Sequence, residues 1–333
     1  NEIIYRGKHS KEIIEEERNL ISTGIQTLAL YSGIAIEKGE GCYLYDVDGN
    51  RYLDFAAGIC VNALGHAHPE YSLRLKEQID KVTVGTFSTE VRLNLLKTIA
   101  DISPGELNVT QLFSSGTEAT ESALRLAKAY TGKKEYISFW GGFHGKTMGV
   151  LGLLGSDFKF EHGPFLPGCY LSPYPDIMHF PFNIEKSEIS NFCLEFLKRK
   201  IEYETAGDIA AIIVEPIQGT AGNIIPPDDF LLGVKGIAKE IGALLICDEM
   251  ITGFGRSGKM FGCDHTNVIP DIITVGKSFG NGFPVSGVIS TKEIMSAKPY
   301  SNASYSSSSY GGNPLASASA YASLSIIVKD RLC

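Results

Sequence analysis

Two short runs of this 333-residue chain, "DIAAIIV" (208–214) and "ALLIC" (243–247), carry consecutive rather than alternating apolar residues, and a third strand pattern, "DIITV" (271–275), follows them. A strand with one wet face alternates, so the first two strands are expected to be covered on both faces. Around them lie stretches of helical period: 117–133, with Ala123, Leu124, Ala127 and Tyr130 on one face, then 186–204 and 228–240. Strand then helix, repeated, predicts an α/β fold built on a large, doubly wound, mostly parallel sheet with right-handed crossovers. Sheets of that kind bind ligands beyond the carboxyl ends of their strands, so the residue after each strand is where chemistry is expected.

After "ALLIC" comes Asp248. It is either a helix cap or a buried anion, and an unpaired buried anion costs several kcal/mol, so the second reading requires a cation close by. The next strand delivers Lys277, 29 positions later, set between Gly276 and "SFGNG". Most lysines are surface residues. One held at a strand end beside other cations would have its pKa drawn from about 10.4 towards 7, giving a nucleophilic amine.

"LFSSGTEATE" (112–121) leads from a strand through Ser114, Ser115 and Gly116 into a helix. Free N–H groups in a first helical turn, with a glycine that admits close approach, suit a phosphate. A plain Ser/Thr cap with Glu118 in the first turn explains the same residues equally well. Neither a Walker loop nor a GxGxxG fingerprint is present, which disfavours nucleotide binding. In "FWGGFHGKT" (139–147), Phe143 could stack on a flat ligand and His144 bond to it, or both could fill the core. His66 and His68 in "GHAHP" lack a completing acid or cysteine at recognisable spacing, so no metal is expected.

With 44% hydrophobic and 20% charged residues the chain is of globular type, and its formal net charge of -8 supplies no basic field for nucleic acid or an anionic membrane. The basic "LKRK" at 197–200 reads as the solvated end of a helix. Seven scattered cysteines, never spaced CxxC, point to a reducing compartment, with Cys247 a small core residue. The first residues are charged throughout and no apolar run is long enough to span a bilayer, so the expectation is a cytoplasmic protein. "GCYLYDVDGNRYLDF" is a hairpin pattern, which predicts a small accessory domain in residues 1–60 ahead of a large domain at 61–312. Residues 313–333 then begin a helix towards a further part of the small domain, and the chain, which starts without Met and stops at "KDRLC", reads as trimmed.

A lysine, an acid 29 positions earlier, a phosphate-type helix start and an aromatic-glycine loop are the parts of a pyridoxal phosphate site. The chain resembles the class III pyridoxal-phosphate aminotransferases of the fold-type I superfamily, from "YLYDVDGNRYLDF" to "GGNPLA". The motifs "SSGTEA", "FHGKT", "VEPIQG", "ICDEMITGFGRSGKMF", "PDIITVGKSFGNGFP" and "YGGNP" carry the resemblance in that order. It implies that Lys277 forms the internal aldimine with pyridoxal 5'-phosphate and moves the substrate proton, while Asp248 keeps the ring nitrogen protonated. Ser115, Gly116 and Thr117 would serve the phosphate, and Phe143 and Met250 would cover the two ring faces. His144 and Glu215, from the motifs "FHGKT" and "VEPIQG", complete the cofactor-binding set. Ser309, where the family usually has Thr, would reach the cofactor phosphate of a neighbouring subunit, making a homodimer with shared active sites.

The implied reaction passes an amino group from an amine or amino-acid donor to a 2-oxo acid acceptor in ping-pong half-reactions. Racemases, epimerases and aminomutases on the same scaffold are the alternative, since they differ only in where the proton returns. Two departures stand out. Ile251 occupies the place of a common cofactor-contacting Gln, and Thr220 that of the glutamate with which ornithine- and 4-aminobutyrate-type enzymes switch substrates. The arginine that usually binds a substrate carboxylate has no counterpart within these residues, and Arg256 in "GFGRSG" is not assigned that role.

Overall fold

A computed structural model describes residues 3–333, so residues 1 and 2 of the expected N-terminal segment lie outside the described residues. The hairpin is present as part of a three-stranded antiparallel sheet, β1 (Ile36–Glu40), β2 (Tyr43–Asp46) and β3 (Arg51–Leu53). Its turn works because Gly49 takes φ +85° and the buried Asp46 carboxylate accepts the backbone N–H groups of Asp48 and Asn50 and the Tyr52 hydroxyl.

The large sheet has seven strands: β4 (Val109–Phe113), β5 (Glu135–Phe139), β6 (Cys169–Ser172), β7 (Ile209–Val214), β8 (Leu244–Asp248), β9 (Ile272–Val275) and β10 (Ser286–Ser290). They lie in the order β4-β10-β9-β8-β7-β5-β6. Pairing is parallel from β9 across to β6, while β10 runs antiparallel to both β9 and β4. β4 therefore points the same way as β9, and the carboxyl ends of β4, β5, β7, β8 and β9 open on one edge.

Every residue of β7, β8 and β9 is buried. Successive side chains go to opposite faces: Ile212, Leu245 and Ile273 join one apolar cluster, and Ile213, Ile246 and Ile272 the other. The helix Gly116–Thr131 covers the second face with Ala119, Ala123 and Leu126, and the helices Ile189–Glu204 and Asp228–Glu240 cover the first with Leu197, Phe230 and Val234. The unbroken apolar runs thus have two-sided burial as their cause. Tyr130, expected on the buried face of its helix, is instead 39% exposed and donates its hydroxyl to Glu293 at 2.6 Å. It sits in the last turn, where a phenol is better served by a carboxylate than by the core.

The helix Pro314–Lys329 packs on Pro69–Ile79 and Glu90–Ile102. Two of its serines hold one loop: Ser319 donates to the Gly280 carbonyl at 2.8 Å and Ser323 to that of Ser278 at 2.9 Å. Among the described residues, no helix is long and apolar enough to cross a membrane.

Candidate active site

The carboxyl ends of β4, β5, β8 and β9 enclose a pocket of about 240 Å³. Gly116 and Thr117 face it from the helix after β4, Phe143, His144 and Gly145 from the loop after β5, Asp248 and Met250 from β8, and Lys277 from β9. Seven of the ten sequence-predicted site residues therefore meet in one cavity. Ser115, Glu215 and Ser309 do not line it.

Asp248 ends β8 with its side chain 1% exposed. Its Oδ2 lies 2.7 Å from His144 Nδ1, and its Oδ1 accepts the Met250 N–H at 3.1 Å. The cation that a buried aspartate demands is thus the His144 ring. Burial disfavours the imidazolium, yet the hydrogen bond and charge of Asp248 outweigh it and hold the His144 pKa above the ordinary imidazole value. Among the described residues, Lys277 and Asp248 form no ion pair.

Lys277 follows Gly276 with φ +45°, a left-handed conformation that costs a non-glycine residue roughly 1 kcal/mol or more. The surrounding loop over-determines it. The Gly280 carbonyl accepts from Tyr71 at 2.6 Å as well as from Ser319, Ser278 donates to the Cys60 carbonyl at 3.2 Å, and Asn281 Oδ1 accepts the Leu64 N–H at 2.9 Å. Glycine flexibility around the lysine is therefore countered by contacts distant in sequence, which no local motif could announce.

At the helix start, Ser115 is the N-cap of a capping box: its hydroxyl accepts the Glu118 N–H at 3.3 Å, and Glu118 accepts the Ser114 and Ser115 N–H groups. The cap reading of "SSGTEATE" therefore describes its serine, and the pocket takes the two residues after it. A Cβ on Gly116 would come within 3.0 Å of Met250 Sδ, and one on Gly145 within 2.4 Å of Thr117 Oγ1. Those glycines keep the space beside the threonine open. Thr117 Oγ1 lies 2.7 Å from Thr147 Oγ1, whose own proton goes to Glu121, a chain the sequence reading missed although Thr147 closes the motif "FHGKT".

Glu215 lies just past the end of β7 and is 5% exposed. Burial, with Asp248 adding its negative charge, pushes its carboxyl up to about 7, against the pull of His144 and two backbone N–H groups. Ser309 sits exposed in the 301–312 loop, away from this pocket. His66 pairs with Asp54 at 2.8 Å, and His68 Nδ1 accepts the Tyr71 N–H at the start of its helix.

These groups fit pyridoxal phosphate. A buried carboxylate held by an imidazole suits a ring nitrogen, a helix start without a Cβ suits a phosphate, and the lysine amine shares the cavity with both. The model of the class III aminotransferase family matches residues 28–333. The chain is a class III aminotransferase. It is 35% identical over 303 residues to the acetylornithine aminotransferase of Methanopyrus kandleri, covering 90% of this chain and 72% of that one. It is 33% identical over 337 residues to the alanine/serine racemase of Pyrococcus horikoshii, covering 98% and 70%. The amine transaminase of an uncultivated Pseudomonas species, solved in a PLP-bound form, superposes with a TM-score of 0.87 at 28% identity over 94% of this chain and 75% of that one. As a class III aminotransferase the protein is of fold type I and uses pyridoxal phosphate to move amino groups.

Proposed function

We propose that the 240 Å³ pocket is the cofactor site and that Lys277 is its covalent anchor and proton carrier. The observation that carries this reading is the buried Asp248–His144 pair facing the same cavity as an amine that has no carboxylate of its own among the described contacts. When bound, pyridoxal phosphate supplies an electron-accepting ring for the pair left behind as a proton leaves the substrate carbon. Asp248 keeps a proton at the ring nitrogen, and His144 fixes the carboxylate that does so. Lys277 takes and returns the proton at the substrate's α-carbon. The N–H groups of Gly116 and Thr117 hold the phosphate, with Ser115 anchoring that turn through its cap, and Phe143 and Met250 bracket the ring.

The substrates are an amine or amino-acid donor and a 2-oxo acid acceptor, used in ping-pong half-reactions. Exposed Phe55, Phe87 and Tyr310 support a homodimer in which Ser309 of one subunit serves the phosphate of the other. The segment up to residue 60 belongs to a small domain and 61–312 to the large cofactor-binding domain, with 313–333 starting a helix that leads out of the large domain. The seven free cysteines support a reducing, cytoplasmic setting. To test the site, the loaded protein is treated with borohydride and digested. The cofactor is expected on the peptide carrying Lys277, and its appearance on any other peptide overturns the assignment. The racemase relative sustains a second reading, amino-acid racemisation. Loss of optical rotation from a single amino acid supplied without oxo acid would favour it over transfer.

A further inference from the structure

We infer that Glu215 is a positioning residue, a clamp that ties the loop after β5 to the loop after β7 and so sets where Phe143 stands beside the ring site. Its two oxygens serve two loops. Oε1 accepts the Phe143 N–H at 2.8 Å, and Oε2 accepts the Gly219 N–H at 3.2 Å. The Glu215 backbone is itself fixed, because the buried Tyr174 hydroxyl donates to its carbonyl at 3.1 Å. A second link joins the same loops: Gln218 Nε2 donates to the Trp140 carbonyl at 2.9 Å, while Gln218 and Ile224 exchange backbone bonds at 3.0 and 2.9 Å. That link carries no charge, so among the described contacts Glu215 is the one tie between the loops that can change with pH.

Burying a carboxylate is costly, and a neutral side chain could not satisfy two N–H donors with two equal acceptors. The groups facing Glu215 are His144 and Asp248 from the pocket side and Tyr174 behind it. With a carboxyl that titrates at about 7, proton uptake turns one of the two oxygens into a hydroxyl, a poorer acceptor, and weakens the hold on one loop. The clamp is closed on the alkaline side and half released on the acid side. Its effect on catalysis rests on the proposed role of Phe143, but its effect on the two loops does not.

Hydrogen–deuterium exchange on the whole chain tests this, read at the Phe143 and Gly219 amides at about pH 6 and pH 8 and corrected for intrinsic rates. Both amides, or one of them, are expected to lose about fivefold in protection at the lower pH, the worth of one weakened hydrogen bond, while the Gln218 and Ile224 amides do not change. In Glu215→Gln the same amides should show pH-independent, partial protection, with kcat lowered about tenfold and KM for the donor changed less than about twofold. Equal protection of the wild-type amides at both pH values overturns the clamp, and so does a Glu215→Gln variant that keeps the wild-type profile. If that variant does not fold, the wild-type exchange decides by itself. Exchange as expected, with borohydride labelling elsewhere than Lys277, would leave the clamp standing and remove the cofactor reading instead.

Discussion

The two ends of the central sheet hold the same chemical pair, an aspartate and a lysine, and treat it in opposite ways. At the amino end, Asp271 precedes β9 and meets Lys235 at 2.7 Å with both side chains 26% exposed, while its other oxygen accepts the Leu245 N–H at 2.7 Å. Every charge there is answered and partly wet, an arrangement that costs little. At the carboxyl end, Asp248 is almost wholly buried and turned to His144, and Lys277 is held in a left-handed conformation facing a cavity. Expensive burial that leaves an amine uncommitted is difficult to explain by stability alone, and it is where reactivity is to be expected. Glu249, one residue past Asp248, shows that burial by itself does not mark function. It is 0% exposed and raised in pKa by that burial, but Thr252 and the Gly262 and Cys263 N–H groups, the latter two at 2.7 and 2.8 Å, satisfy it completely.

The comparison is tested most severely by Lys277→Ala. Activity should fall by at least on the order of 10³-fold in kcat/KM, borohydride should fix no cofactor, and thermal stability should hold, since alanine keeps the left-handed backbone and loses only an amine with no ion-pair partner among the described residues. A residual activity within tenfold of wild type would mean that the uncommitted amine is not the reactive one. Asp248→Asn comes next. It keeps the shape but offers the ring nitrogen no negative charge, so kcat should drop on the order of 10²-fold and the cofactor should dissociate more readily in a dialysis assay. Unchanged retention together with unchanged kcat would reduce Asp248 to the kind of structural acid that Glu249 is.

Glu249→Ala supplies the complementary loss. Two buried N–H groups and the Thr252 hydroxyl lose their acceptor, so unfolding in urea should become easier by about 2 to 3 kcal/mol, while kcat per folded molecule stays within a few-fold. A loss of kcat as large as that of Asp248→Asn at full stability would erase the distinction between the two neighbouring acids.

The sequence reading reached the sheet because the cause was local: "AAIIV" and "LLIC" are apolar at every position, and burial on both faces is what β7 and β8 have. It also brought Asp248 and Lys277 to one cavity, since the strand ends of such a sheet share an edge. It did not identify His144 as the partner of Asp248, because the two stand 104 positions apart and nothing in "FHGKT" says which strand end its loop will cover. Tyr71, Ser319 and Ser323, which hold the loop after Lys277, were illegible for the same reason. Their hydroxyls look like ordinary helix residues until the chain closes and the carbonyls of Gly280 and Ser278 arrive beneath them. Ser115 stayed open to two readings: a serine before a helix serves a cap as readily as a ligand, and here its oxygen accepts the Glu118 amide, which leaves the hydroxyl proton to donate elsewhere.

The smallest expected effect is at the amino end, and it is the control for all the others. Lys235→Met removes one half of an ion pair with both side chains 26% exposed, keeps most of the apolar stem, and leaves Asp271 with the Leu245 N–H. The Asp271 carboxylate is wet enough to take water in place of the ammonium, so the loss should stay below about 1 kcal/mol and shrink further in high salt. Activity and cofactor retention should match wild type, since no polar contact among those described joins this pair to the pocket at the far edge. The informative failure is a tenfold fall in kcat at unchanged stability. β9 runs from Asp271 towards Lys277, and β8, tied to Asp271 through the Leu245 N–H, runs beside it to Asp248, so such a result would mean that charge at one end of these strands sets register or field at the other. The two ends would then be a single coupled device, and the contrast drawn between a finished ion pair and an unfinished one would have to be given up.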